Sequence, residues 1–220
     1  MIPLGHDFGG ETVLVFGGGA VGARKARRFA REARVVVVSP TFADADFGAS
    51  EFVRAAPTPA DVPAWLDAAD PALVVAATDD TDLNAAIASV ATERGVLVNR
   101  ADRSGDRDRG SVVVPATVED GPVTVAVTTS GTSPAVSRHL RRELASVVDG
   151  AGVVATVVGE LRDELKRRGV DPERRRAAIR AVAESPAVWT AARDVGTETA
   201  VRDAAEGVLA DALGETSDDA

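Results

Sequence analysis

The chain has 220 residues, enough for one domain of ordinary size or for one domain with a helical appendage. It carries 34 acidic and 25 basic side chains, for a formal net charge of -9, and it contains no cysteine. Disulfide scaffolds, thiolate zinc sites and iron–sulfur clusters are therefore excluded, and the acidic balance argues against general nucleic-acid binding. Two explanations of the acidic, lysine-poor composition stay open: a cytoplasm with high salt, or a GC-rich genome.

The first ten residues lack the basic segment followed by an apolar segment that a secretory signal requires. No window reaches ~18 uninterrupted apolar residues, the length that a membrane helix needs. We therefore expect a soluble, cytoplasmic protein with neither a membrane nor a nucleic acid as partner.

Short apolar runs alternate with helical segments through the first half of the chain. The predicted strands are Thr12–Phe16, Val35–Val38, Phe52–Arg54, Leu73–Ala77 and Val96–Val98. The predicted helices between them are Ala20–Ala33, Asp61–Ala69 and Asp82–Arg94. This alternation predicts an α/β fold with a doubly wound, Rossmann-type parallel sheet, which we assign to residues 1–110.

The pattern changes after residue 110. Ser111–Val114 and Val123–Thr128 are extended runs separated by a turn signal, so they predict a hairpin, and a helix from about Ala135 to Val148 follows. Residues 111–149 thus form a hairpin-plus-helix region. Residues 150–220 predict a small all-helical domain, with helices at Val153–Arg168, Pro172–Ala183 and Pro186 to about Leu213.

The segment Gly17-Gly18-Gly19-Ala20-Val21-Gly22 matches G-x-G-x-x-G between a predicted strand and a predicted helix, the context of a dinucleotide-binding fingerprint. The first glycine permits a tight turn, the second lets the backbone approach a pyrophosphate, and the third lets the helix pack on the strand. The pyrophosphate would lie at the helix N-terminus. We assign Gly17, Gly19, Ala20, Val21 and Gly22 to this site; a glycine-rich turn without ligand is the alternative.

An acidic residue that binds the ribose of NAD is usual about 20 residues further on, at the end of the second strand. Ser39 and Pro40 occupy that place. Ser39 can hydrogen-bond a ribose but does not repel a 2′-phosphate, so NAD and NADP both stay open. Arg24 and Lys25 could reach phosphate or could belong to a solvated helix face.

Several segments together resemble a known family, the precorrin-2 dehydrogenases, which include the amino-terminal module of siroheme synthases. Gly17–Lys25 is similar to the family signature GGGxVAxRK. Four further segments are similar to family motifs, in chain order. Ala76–Asp80 with Asn84 resembles AAT-x-D-x-x-x-N, and Asn99–Asp102 resembles N-x-x-D. Val114–Ala116 resembles the F-x-x-P-A region, and Val125–Pro134 resembles A-[IV]-S-T-x-G-x-S-P. The resemblance covers roughly residues 8 to 148.

The resemblance implies oxidation of precorrin-2 to sirohydrochlorin with NAD as cofactor, and in some members the insertion of Fe²⁺ to make siroheme. It also implies a homodimer in which residues 111–149 form a swapped dimerisation region. The suspected general base of the family maps onto Asp102. Thr78, Asp79 and Asn84 are assigned to the cofactor site, although Asp79 could be a turn or capping residue and Asn84 could instead orient its loop.

The chemistry of the reaction also supports a role for Asp102, independently of the resemblance. Removing a hydride from a reduced tetrapyrrole also requires the loss of a proton, which a carboxylate at the carboxyl edge of the sheet can accept. Asp102 follows the predicted strand Val96–Val98 at that edge. The alternative is an ordinary loop aspartate.

A polar segment at the start of the predicted helix Ala135–Val148 could hold a carboxylate of the substrate, and Arg138 supplies a cation in an acidic chain. The residues assigned to substrate are Thr129, Ser130, Gly131, Thr132, Ser133 and Arg138. A solvated basic face or a dimer contact is the alternative for this helix. His139 is either a ligand or structural, and we expect no dedicated metal site.

Two departures from the family pattern border the expected substrate site: the charged loop Arg103–Gly110, and Val112 where the family often has Phe. They put metal insertion in doubt more than dinucleotide binding. The main alternative function is a non-catalytic Rossmann module that senses a nucleotide and regulates a partner; a tetrapyrrole carrier is a third.

Overall fold

The structure is a computed structural model that describes residues 3–102 and 111–214. By their contacts, these residues fall into two compact units. The first unit runs to Val114 and includes Ser130–Thr132, and the second comprises Pro115–Thr129 and the described chain from Ser133 onward.

The first unit is built on a parallel five-stranded sheet. Its strands are β1 (Thr12–Phe16), β2 (Arg34–Ser39), β3 (Glu51–Arg54), β4 (Leu73–Ala76) and β5 (Leu97–Arg100). Its helices are α1 (Ala20–Phe29), α2 (Val62–Ala69) and α3 (Thr81–Glu93), with a 3₁₀ turn at Pro59–Asp61. The strand order β3-β2-β1-β4-β5 confirms the predicted Rossmann-type sheet.

Strands β1, β2 and β4 are buried on both faces, which explains why they are continuous apolar runs and not alternating ones. Leu14 and Phe16 of β1 pack in a buried cluster with residues of α2 and α3. Val13 and Val15, which point to the opposite face, pack in a second cluster with residues of α1. Because the five strands are parallel, their carboxyl ends meet at one edge of the sheet.

In its described residues, the second unit contains a β-hairpin and five helices. The hairpin pairs β6 (Ala116–Asp120) with β7 (Val123–Val127), and the helices are α4 (Pro134–Val148), α5 (Ala151–Arg167), α6 (Pro172–Glu184), α7 (Pro186–Asp194) and α8 (Glu198–Leu213). Helices α5 to α8 pack around one buried apolar core. The division of the chain at residues 110 and 149, and a role of 111–149 in dimerisation, stay predictions.

The predicted pairing of Ser111–Val114 with Val123–Thr128 is wrong. The strand that pairs with β7 is Ala116–Asp120, because only Gly121 and Pro122 separate Asp120 from Val123 and a two-residue loop joins antiparallel strands directly.

Ser111–Val114 instead begins beside β5. Ser111 forms an isolated parallel bridge with Val98, and the backbone N–H of Val112 donates to the Val98 carbonyl over 2.8 Å. The side chain of Asn99 then donates from Nδ2 to the carbonyl of Val112, also over 2.8 Å. An asparagine at the end of a buried strand thus holds the segment that the sequence assigned to the hairpin.

The single helix predicted from Pro186 to about Leu213 is also wrong, since it is two helices, α7 and α8. Gly196 has φ +69°, a left-handed conformation that ends a helix at little steric cost. Thr197 then caps α8, because its Oγ1 accepts a hydrogen bond from the N–H of Ala200 over 3.3 Å. The Gly-Thr pair was a visible stop-and-start signal.

Within the described ranges, no single helix is both long enough and apolar enough to cross a membrane. Helices α4 and α5 reach that length and composition only as a pair, which is bent by 49°.

Candidate active site

A cleft of about 790 Å³ lies at the carboxyl edge of the sheet, among the loops that follow β1, β2 and β4. The assigned cofactor residues that line it are Gly17, Gly19, Ala20, Val21, Ser39, Thr78 and Asp79. Gly22 and Asn84, also assigned to the cofactor, do not line the cleft but lie behind its wall. The opening at a switch in strand order is where Rossmann folds hold their ligands.

The glycines of the first loop have different tasks. Gly17 has φ +116°, and a Cβ built on it would lie 2.3 Å from the carbonyl oxygen of Ala77. A Cβ on Gly22 would lie 1.9 Å from the carbonyl oxygen of Gly17. Both positions therefore need glycine so that the loop can close and α1 can pack against it.

Gly19 is different, because its glycine is not required by packing within the protein. Its φ is -80°, and a Cβ built there would meet no atom within 4 Å. Since Gly19 lines the cleft, the open space next to its Cα is part of the cleft and is free for a ligand. Ala20 and Val21 follow in the first turn of α1, whose N-cap provides no side-chain hydrogen bond. A bare backbone at a helix N-terminus fits a pyrophosphate, so the residues present fit a dinucleotide.

The loop after β2 forms a wall of the cleft that the sequence analysis did not assign. Pro40, Thr41, Phe42 and Ala43 line the cleft, following Ser39, which is buried. Their position directly after a strand of the predicted sheet was the signal that could have identified them.

Asn84 is fully buried and holds the loop that follows β4. Its Oδ1 accepts hydrogen bonds from the N–H of Thr78 over 3.2 Å and from the Thr78 hydroxyl over 2.8 Å. Its Nδ2 donates to the carbonyl of Thr78 over 2.9 Å. Asn84 therefore positions Thr78 on the cleft wall, the alternative role considered for it from the sequence.

The two aspartates in that loop have different surroundings. Asp80 is the N-cap of α3, because its Oδ1 accepts from the N–H groups of Asp82 and Leu83 over 2.9 and 3.0 Å. Asp79 is exposed and lines the cleft. The capping role that the sequence suggested for Asp79 thus belongs to Asp80, although both carboxylates line the cleft.

Asp102 follows β5 at the same edge of the sheet and is paired with Arg100. The guanidinium donates from Nε to Oδ1 over 3.0 Å and from Nη2 to Oδ2 over 2.5 Å. These hydrogen bonds from Arg100 are the main cause that lowers the pKa of Asp102 below its usual value. Asp102 and Arg100 lie at this edge of the sheet but are not among the described residues that line the cleft. The sequence did not predict this pairing, because no motif distinguishes Arg100 from other loop arginines.

The residues assigned to substrate use several polar groups to shape a turn. Thr129 Oγ1 accepts from the N–H of Ser133 and donates to its carbonyl, both over 3.1 Å. Ser133 Oγ in turn accepts from the N–H of Val136 over 3.3 Å and caps α4. Ser130 and Gly131 have positive φ angles of 54° and 87°.

Arg138 is exposed on α4. Substrate binding by Thr129, Ser130, Gly131, Thr132, Ser133 and Arg138 stays a prediction. The loop Arg103–Gly110 lies outside the described residues. Among residues 3–102 and 111–214, no three His, Asp or Glu side chains are grouped so that they could hold a metal ion.

A parallel sheet of this order with a glycine-lined cleft at its switch point defines the class of NAD(P)-binding Rossmann proteins. Accordingly, residues 4–116 match the model of an NAD(P)-binding family. Residues 120–146 match a model described as "Sirohaem biosynthesis protein central".

The chain belongs to the family of precorrin-2 dehydrogenases and siroheme synthases, as the sequence predicts. It is 32% identical over 195 residues to a precorrin-2 dehydrogenase of Methanosarcina barkeri, a match that covers 86% of this chain and 85% of that protein. It is 37% identical over 172 residues to siroheme synthase 2 of Aeromonas hydrophila subsp. hydrophila, covering 76% of this chain and 34% of the relative. The siroheme synthase of Tolumonas auensis is 32% identical over 217 residues, covering 96% and 43%.

The chain thus spans less than half the length of these two siroheme synthases. Among solved structures, SirC, a precorrin-2 dehydrogenase, shares the fold with a TM-score of 0.69 at 21% identity. That likeness covers 94% of this chain and 98% of SirC.

Proposed function

We propose that this chain catalyses the NAD-dependent oxidation of precorrin-2 to sirohydrochlorin, a step in siroheme biosynthesis. The observation that carries the proposal is an oriented, ionised carboxylate, Asp102, at the same edge of the sheet as a glycine-lined cleft that fits a dinucleotide. Family membership supplies the substrate, because the relative that the chain matches over most of both lengths is named for precorrin-2.

The first part of the proposal is cofactor binding. Gly17, Gly19 and Gly22 shape the turn, and the bare N-terminal turn of α1, at Ala20 and Val21, receives the pyrophosphate. When bound, NAD⁺ supplies the hydride acceptor of the reaction. The chain's own task is to orient the reacting groups and exclude competing water.

The second part is the proton. Oxidation of precorrin-2 removes a hydride and a proton, so a base must take the proton that remains after the hydride leaves. Asp102 is the base, ionised in the neutral pH range, and Arg100 orients its carboxylate and lowers its pKa. Arg100 acts on the substrate only through this carboxylate and is therefore a positioning residue.

The third part is assembly. Val136, Leu140 and Val147 are apolar residues of α4 that are 46%, 41% and 61% exposed. At 100° per residue they fall within about 40° of one another around the helix, so they form one apolar stripe. Such a stripe supports a homodimer in which α4 is covered by a second copy. We place the dimer in the cytoplasm, where its dinucleotide cofactor is available.

The test is an assay of the purified chain with precorrin-2 and NAD⁺. We expect the visible spectrum of sirohydrochlorin and the near-ultraviolet absorbance of NADH to appear together in equal amounts. Intact NAD⁺ binding without any spectral change would exclude the enzyme and favour a nucleotide-sensing module. A parallel incubation of sirohydrochlorin with Fe²⁺, followed for siroheme, decides whether this chain also acts as a chelatase.

A further inference from the structure

The adenosine end of the cleft lacks the acidic group that NAD-specific Rossmann sites place after the second strand. Ser39 ends β2 and is only 7% exposed, and the cleft-lining residues that follow it, Pro40 to Ala43, are all uncharged. The two lining carboxylates, Asp79 and Asp80, belong to the loop after β4. Among the described lining residues, none next to Ser39 would repel a 2′-phosphate.

A cation takes the place beside Ser39. Arg54 is the last residue of β3 and is paired in register with Ser39 across the parallel ladder. Its Nη1 donates to the carbonyl of Pro40 over 3.2 Å, and its Cζ lies 5.5 Å from the centroid of the Phe42 ring. Arg54 does not itself line the cleft, but Pro40 and Phe42, the two residues that its guanidinium contacts, both do.

The charge of Arg54 is available to a ligand. The side chain is exposed, and in the described part of the chain it makes no ion pair with a carboxylate. Arg34, at the opposite end of the same pair of strands, by contrast forms an ion pair with Glu51, with 2.8 Å between Nε and Oε1. A guanidinium has five N–H donors in a planar fork, so the bond to Pro40 leaves donors for a phosphate.

We propose that this cleft binds the 2′-phosphorylated dinucleotide NADP as well as NAD, and that Arg54 is the residue that binds the 2′-phosphate. The inference rests on the proposed function for the cleft but extends it to a second cofactor. It predicts precorrin-2 oxidation with NADP⁺ in place of NAD⁺.

The test measures binding separately from catalysis. Isothermal titration calorimetry gives the dissociation constants of 5′-AMP and of adenosine 2′,5′-bisphosphate for the wild type, Arg54→Gln, Arg54→Lys and Arg34→Gln. Arg34 lies on β2 five residues before Ser39, about 16 Å from it along the strand. Arg34→Gln removes the same charge as Arg54→Gln and is the matched control. Melting curves establish that each variant is folded.

We expect the wild type to bind the bisphosphate at least about ten-fold more tightly than 5′-AMP, the scale of one charge-assisted hydrogen bond. Arg54→Gln should bring that ratio close to one, Arg54→Lys should retain part of it, and Arg34→Gln should leave it unchanged. Equal binding of the two nucleotides by the wild type, or an unchanged ratio in Arg54→Gln, would overturn the proposal.

The two proposals can fail separately. If 5′-AMP and NAD⁺ bind but the 2′-phosphate adds nothing, only the NADP inference is overturned. If both nucleotides bind with the expected ratio but precorrin-2 is not oxidised, the catalytic proposal fails and the assignment of Arg54 stands. If neither nucleotide binds, both proposals are overturned.

Discussion

Arg100 holds Asp102 by two hydrogen bonds, from Nε to Oδ1 and from Nη2 to Oδ2, although only one residue separates them in the chain. The pair lies at the end of β5, where the strand stops and the chain turns. A bidentate guanidinium both orients a carboxylate and favours its ionised form. The carboxylate of Asp102 therefore has a fixed orientation and is negatively charged at neutral pH, as a proton acceptor must be.

Replacing Asp102 by Asn should abolish proton acceptance while keeping the shape of the side chain. We expect turnover of precorrin-2 to fall by at least about 10²-fold, the usual contribution of a positioned base, with NAD⁺ affinity changed less than about two-fold. Asp46→Asn is the control, since Asp46 is an exposed carboxylate that contacts Gly48 N–H and Arg27. Wild-type turnover in Asp102→Asn would remove this residue from the mechanism.

Replacing Arg100 by Gln should change the pH profile of the reaction. Arg100 lowers the pKa of Asp102, so its loss should raise that pKa toward the ordinary value of an aspartate. Because the ionised carboxylate is the active form, the acidic limb of kcat/KM should move to higher pH, while the rate at pH 8 changes less. An unmoved acidic limb in the folded variant would contradict the role of Arg100.

The same pair should contribute to stability in a pH-dependent way. A carboxylate with a lowered pKa in the folded state stabilises the fold above its unfolded pKa and loses that contribution as the pH falls through the folded value. Asp102 meets this condition. Urea unfolding at several values of pH below 5 should therefore show a smaller acid-induced loss of stability in Arg100→Gln than in the wild type.

Two glycines of the first loop should respond differently to a single added methyl group. Gly19→Ala has room in the folded protein, so we expect its free energy of unfolding to change by less than about 1 kcal/mol. Its methyl group would project into the cleft and weaken NAD⁺ binding by about ten-fold or more. Gly22→Ala should instead lower the melting temperature, because its Cβ collides with the carbonyl of Gly17. Unimpaired NAD⁺ binding by Gly19→Ala would disprove the placement of the pyrophosphate.

Lys25 should be a destabilising group at neutral pH. Burial, assisted by Arg24 and Arg28, lowers the pKa of its amine to about 8. Below pH 8 the folded state bears the full cost of the buried charge; between about 8 and 10.5 only the folded amine has lost its proton, so stability rises with pH.

We therefore expect Lys25→Met to be more stable than the wild type in urea at pH 7, with the difference shrinking as the pH approaches 10.5. Lys166 is exposed and is the chain's other lysine, so Lys166→Met is a matched control that should show no such trend. A difference that stays constant with pH would show that the charge of Lys25 is not its cause.

The exposed stripe on α4 should govern the oligomeric state. Light scattering should give the wild type twice the chain mass of 22.6 kDa and give Leu140→Asp a single chain mass. Ala145 is exposed on the opposite side of α4, so Ala145→Asp adds the same charge and should leave the dimer intact. A dimer that persists in Leu140→Asp would show that the stripe is not the interface.

The sequence by itself determined the Rossmann-type sheet and the glycine loop of the cleft. Apolar runs such as Thr12–Phe16 are short and uninterrupted because their strands are buried on both faces. Gly17 and Gly22 are recognisable because packing at each position admits almost no other residue. Such local constraints leave a pattern that a single sequence displays.

Only the tertiary structure decided which polar side chains meet at the edge of the sheet. Ser39 and Arg54 are far apart in the chain and become neighbours because β2 and β3 are parallel and end together. The loop at Thr78 and the Arg100–Asp102 pair lie at the same edge because β4 and β5 also end side by side. Ser111–Val114 has the composition of a strand, yet a hydrogen bond from Asn99 draws it to β5 and away from the hairpin. Pairings of this kind depend on strand order and register, and no spacing along the chain encodes them.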